Sequence, residues 1–194
     1  MQTKIKIFQT LSEALLPILG YFYWNWSFYD LLLFYFLDQI VASVFTFVKI
    51  KKVTDFHHQS PALIGFISFV LLCYSSIILV ALLLIPTILP DFDFMLASMR
   101  FLLLKDMGLP QGVFLLPLVF YAGYLQYKMK FVQTNRVTKT TIQQIEKQHL
   151  QGLLVIIAVL GLGLGLTTFI KISEQVAVFT LILLTTSYSF FWKE

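Results

Sequence analysis

Few residues of this chain are placed to do chemistry, and most of them stand alone in apolar surroundings. Asp38 is foremost. It lies eleven residues from Ser27 and eleven from Lys49, in the middle of a run that is otherwise almost wholly apolar. A carboxylate at the centre of a membrane-spanning helix costs about 2.5–3.5 kcal/mol on insertion scales, and none of the apolar runs supplies a Lys or Arg partner. Such an acid must be protonated, hydrogen-bonded within a bundle, beside water, or bound to a cation. It therefore offers a proton or cation site, or part of a substrate pocket. The alternative is a neutral acid that bonds across helices and fixes their packing.

The neighbouring polar residues extend these options. Gln39 follows Asp38 but points about 100° away around a helix, toward another neighbour, where packing is its simplest role. Thr185 and Thr186 fall at a similar depth in the last apolar run and would reach Asp38 if the two helices touch. Threonines in such positions also bond their own helix carbonyls. Glu13, two turns into the first apolar run, either reaches the interface or prolongs a polar path from Asp38. Asp30 has a local explanation: Ser27-x-x-Asp30 is the pattern of a helix start, with the acid in the first turn, where the helix dipole favours it.

Other motifs carry less chemistry. Gly161-Leu162-Gly163-Leu164-Gly165 lies inside an apolar run with no strand before it and no basic or hydroxyl residue for phosphates, so it is not a nucleotide loop. Gly161 and Gly165 share a helix face at a spacing that permits close helix approach. His57, His58 and His149 fall in loops or at the end of a run, which leaves haem ligation within a bilayer without candidates. Cys73 is the single cysteine, excluding an internal disulfide or a thiolate metal cage. No GxSxG or HExxH arrangement occurs, and the nucleophilic serine and late histidine of a rhomboid protease are missing. No cofactor or metal is expected.

The elements that must position these residues follow from composition. The chain has 194 residues, 58% hydrophobic and only 12% charged, about half the charge of a soluble domain. The net charge of +4 reflects basic clusters between apolar runs rather than a nucleic-acid surface. A crossing takes roughly 20 residues, which predicts six spans: 7–24, 27–49, 61–85, 110–128, 150–170 and 175–192. Lys4 and Lys6 precede the first run, and with no small-residue cleavage site after it the run reads as a retained span rather than a signal peptide.

Trp24-Asn25-Trp26-Ser27 predicts a tight hairpin between spans 1 and 2, with both indoles at headgroup level. Residues 49–58 read as a polar loop. Residues 92–106 are too short to cross and read as an interfacial or re-entrant helix, Pro117 as a kink in span 4, and 138–149 as a helical extension of span 5. With the N-terminus inside, eleven Lys and Arg fall on inner segments and three on outer ones, the positive-inside bias. The expected fold is thus all-α, a polytopic transmembrane bundle of one domain, N-in and C-in, in the inner (plasma) membrane.

Residues 24–50, WNWSFYDLLLFYFLDQIVASVFTFVKI, resemble the opening segment of the DUF6498 family of uncharacterised bacterial membrane proteins. In that pattern a Trp-containing turn leads into a Leu-rich helix, a Tyr-Trp-x-Glu-Asn motif and an apolar stretch. Here Tyr35-Phe36-Leu37-Asp38-Gln39 stands at the motif, with three conservative departures. The resemblance covers 27 residues and implies no activity; it singles out Asp38 and Gln39. Two functions follow as expectations. The first is a non-enzymatic structural or accessory subunit whose partners are the lipid bilayer and another membrane protein or a second copy. The second is a small transporter or channel component with a proton or cation site at Asp38.

Overall fold

The computed structural model describes residues 14–58, 70, 94–103, 111–169 and 173–191, and among these it is all-helical, with no strand. Six α-helices are seen: α1 (Ala14–Tyr23), α2 (Phe28–His57), α3 (Phe94–Leu103), α4 (Gln111–Tyr127), α5 (Ile142–Phe169) and α6 (Glu174–Phe191). A π-helical turn, Lys128–Val132, and a 3-10 turn, Arg136–Thr138, join α4 to α5. Among the described residues one helix, α2, is long and apolar enough to cross a membrane. The expected span 61–85, with Cys73, lies outside the described residues, as does Glu13.

The start of α2 is set locally. The Ser27 hydroxyl accepts the Asp30 N–H at 3.2 Å, and the Asp30 carboxylate accepts both the backbone N–H and the hydroxyl of Ser27 at 2.8 Å. This reciprocal capping satisfies donors that a helix start otherwise leaves open. Just before it, Asn25 turns the chain with φ 50°, a left-handed conformation that Asn tolerates better than most residues. The turn closes with the Trp26 N–H on the Gly20 carbonyl at 3.0 Å.

Trp26 departs from the expected headgroup anchor. Its side chain is 3% exposed and packs against Trp24, Phe34 and Phe101. It also lies flat on Gly20, where a Cβ would collide with the indole ring. The hairpin is therefore packed by a buried indole, and only Trp24 remains partly exposed.

Residues Phe28 to Tyr35 of α2 are all buried. At about 100° per residue, eight consecutive positions visit every face of a helix, so this segment is enclosed on all sides. Its neighbours in the main core include Phe101 of α3, Leu115 and Val119 of α4, and Val178, Leu181 and Ile182 of α6. Further along, α2 turns one face to α4, where Val41 and Phe45 meet Gly123.

Beyond residue 49 the expected polar loop is instead helix, and α2 continues to His57. The reason is a second apolar cluster, in which Ile50 and Val53 pack with Phe131, Val137 and Ile145. His58 ends the helix in the left-handed conformation, its N–H returning to the Thr54 carbonyl. The helix at 94–103 is ten residues long, about 15 Å. Pro117 sits within α4, and α5 begins at Ile142, where Thr141 and Gln144 cap one another at 3.1 and 3.3 Å.

Among the described residues, a Cβ on Gly161 meets nothing within 4 Å. Gly165 lies one turn on in α5, beyond the residues whose surroundings are described. Among the described residues a tight crossing lies at Gly123, where a Cβ would stand 2.6 Å from Val41 Cγ1 and 2.9 Å from the Phe45 ring. Gly123→Ala should therefore lower stability by about 1–3 kcal/mol through overpacking. Gly161→Ala should be neutral or slightly stabilising, because alanine is the better helix former. Thermal unfolding of the two variants in detergent compares them directly, and equal effects would refute the assignment.

Candidate functional site

The inward polar residues of α2 form a seam. Tyr35, Gln39, Ser43 and Thr46 follow one another at steps of four, four and three, so they share one face of the helix. All four are buried. The face opposes α5 and α6, which supply His149 and Thr185.

At one end Tyr35 Oη and Thr185 Oγ1 are 2.9 Å apart. Thr185 directs its single proton to its own helix, with the Leu181 and Ile182 carbonyls at 2.9 and 3.0 Å. A hydroxyl has one proton to give, so Tyr35 is the donor across the interface. Thr186 bonds the Ile182 carbonyl at 2.6 Å and serves its own backbone. Thr185 thus meets Tyr35, whereas the sequence pointed to Asp38 as its partner.

At the other end His149 stands between two hydroxyls, with Nδ1 3.3 Å from Thr46 Oγ1 and Nε2 3.5 Å from Ser43 Oγ. Both hydroxyls already donate to α2 carbonyls: Thr46 to Ala42 at 2.8 Å and Ser43 to Gln39 at 2.9 Å. Each therefore presents an acceptor to the ring. A neutral imidazole carries one N–H and an imidazolium two, so the hydroxyl arrangement as it stands matches the charged ring.

Burial opposes that charge, and so does the positive charge of Lys49; together they hold His149 below its ordinary pKa. A neutral ring is accommodated when one hydroxyl, at the longer Ser43 contact, turns its proton from the helix carbonyl to the nitrogen. One proton more or less at His149 is thus coupled to the orientation of a buried hydroxyl. One turn back on α5, Glu146 is partly buried with Oε1 lacking a hydrogen-bond partner, and burial raises its pKa.

Gln39 lies between the two ends. It is 5% exposed, and its Oε1 accepts no hydrogen bond among the described residues. A buried amide acceptor without a donor costs on the order of 1–3 kcal/mol. The sequence favoured Asp38 over Gln39, yet the more deeply buried of the two is Gln39. Asp38 is only partly buried and stands at the edge of the seam, three residues after Tyr35 and three before the α4-facing Val41. Near the His149 end, Tyr188 of α6 brings its hydroxyl to 3.4 Å from the position of a Cβ on Gly152.

Tyr35, Ser43, Thr46 and His149 are the seam residues that sequence reasoning did not assign to a site. The available signal was the pair Ser43 and Thr46, three apart on the face that carries Gln39, together with a histidine immediately before an apolar run. Comparisons with family models, curated proteins and solved structures return no match to the chain.

A pH dependence follows from His149. Its folded pKa lies below its ordinary 6.5, so the unfolded chain takes up the proton first as pH falls. The contribution to stability is fully present above about pH 6.5 and is lost as pH drops toward the folded value. Thermal midpoints at pH 7.5 and 5.5 should differ more for the wild type than for His149→Gln, which keeps a polar side chain without the titration. Identical pH dependence in the two proteins would rule out this role for His149.

Proposed function

We propose that the chain is a multi-pass integral membrane protein of six spans, with both termini on the cytoplasmic side, acting as a non-enzymatic structural or accessory subunit of a membrane assembly. The observation that carries this reading is the enclosure of α2, an apolar helix of 30 residues, by α3, α4 and α6. The seam supports it, since its Ser and Thr hydroxyls are satisfied by their own helix carbonyls and the cross-helix bonds, that of Tyr35 included, add register rather than a reacting group. The excess of eleven basic residues on inner segments over three on outer ones supports the orientation and the inner (plasma) membrane location.

Single cysteines placed at Asp55 and Ser173 in a Cys73→Ser background test the topology with an impermeant thiol reagent applied to intact cells. Residue 173 should label and residue 55 should not; the reverse pattern, or labelling at both, would overturn it. Purification in mild detergent tests the role: a partner or a second copy should co-purify, and a lone monodisperse protomer would count against it.

A second reading, a small transporter or channel component with a proton or cation site at Asp38, is favoured by two observations. Gln39 Oε1 has no donor among the described residues, and the hydroxyls around His149 leave its ring able to carry one more proton. In this reading Asp38 lies about 15 Å along α2 from Phe28, half of a hydrocarbon core of about 30 Å. Asp38→Asn should then abolish proton- or cation-coupled flux in proteoliposomes while expression and thermal stability stay near wild type. Failure of the variant to assemble would assign Asp38 to packing.

A further inference from the structure

The segments flanking the inner end of α2 do not form loose loops. Residues 50–57 of α2, the turns at 128–132 and 136–138, and the start of α5 close on a dedicated apolar core of Ile50, Val53, Phe131, Val137 and Ile145. The surface of this cap is basic. Segments 49–58 and 128–149 carry eight Lys and Arg against two acids, Asp55 and Glu146. Lys51, Lys128, Lys139 and Lys147 are all exposed.

The height of the cap follows from contacts. Measured from Phe28, Lys51 and Lys52 lie about 35 Å along α2. A hydrocarbon core of about 30 Å ends some 5 Å before them, within the headgroup layer. The Lys52 ammonium sits 5.9 Å from the centre of the Tyr127 ring, which puts Lys128, the next residue, at the same level. Lys147 lies between Ile145 in the cap core and His149 beside Thr46, a level matching Lys49 and Ile50. Three helices thus deliver ammonium groups to one stratum, where lipid phosphates are found.

We infer that this cap is a binding surface for anionic phospholipid headgroups of the inner leaflet, with the exposed lysines as its phosphate partners. The inference rests on the membrane-spanning, N-in reading above. Basic residues at this position attract anionic headgroups, and the attraction grows with their number. Because the cap is folded, its charges are held in place, and little ordering is lost when lipid binds. An unfolded basic loop would lose more.

The test uses the full chain, delipidated in mild detergent and given equimolar phosphatidylglycerol and phosphatidylcholine of identical acyl chains, with bound lipid counted by native mass spectrometry. The wild type should retain phosphatidylglycerol about tenfold over phosphatidylcholine, and the preference should shrink in 500 mM salt. A variant with Lys51, Lys128, Lys139 and Lys147 all changed to Gln should bring the preference within about twofold. It keeps seven of eleven inner basic residues, so its orientation should hold, as the thiol labelling above can verify.

Equal retention of the two lipids by the wild type, or an unchanged preference in the variant, overturns the inference. Salt-sensitive co-purification of an acidic protein without any lipid preference also overturns it, assigning the patch to a protein. Release of the wild type from membranes by alkaline extraction would instead defeat the membrane-spanning reading itself, an outcome separate from a loss of lipid preference in a protein that stays integral.

Discussion

The enclosure of Phe28 to Tyr35 is the constraint on which the remaining packing depends. A helix segment buried on every face needs neighbours on every face, and α3, α4 and α6 all touch this one. The enclosed segment begins at the Ser27–Asp30 cap, so a pair of residues three apart places the first buried turn. Asp30 can itself be buried because Ser27 satisfies its carboxylate twice. Trp26 seals the end, filling the space left by the absent side chain of Gly20, although its indole N–H finds no acceptor among the described residues. Burying that N–H has a cost, which the apolar area of the ring offsets.

Legibility in the sequence tracked the range of the interaction. The Ser27–Asp30 cap, the short helix near 94–103 and the onset of α5 ahead of its apolar run all depend on residues within a turn or so of one another. Helical character throughout was equally plain, because low charge and long apolar runs leave the backbone little alternative. The number of spans is a different matter, since it depends on the environment as well as the chain.

Features set by distant contacts were not legible. The fate of Trp26 depends on Gly20 and Phe101, and indoles beside a turn suit a headgroup layer equally well by type. The continuation of α2 past residue 49 was obscured by Lys51, Lys52 and Asp55. Its signal was the apolar pair Ile50 and Val53, whose partners lie about 80 to 95 residues away. Gly123 makes a close helix contact with no small partner four residues away, so no spacing pattern announced it. The emphasis on Asp38 came from the cost of charge in an apolar run. Burial follows helix phase, and Gln39, one residue on, has the phase that faces the bundle.

The two apolar clusters have a mechanical consequence. Both are threaded by α2, one from Phe28 through Val41 to Phe45 and the other at Ile50–Val53, so the helix is a rod held along most of its length. A rod held in this way resists axial rotation and sliding, and its middle is stiffened where Val41 and Phe45 close on Gly123. The middle is where Ser43 and Thr46 meet His149. A change of one proton there acts on a stiff stretch of helix, so the clusters on either side of it would register it together.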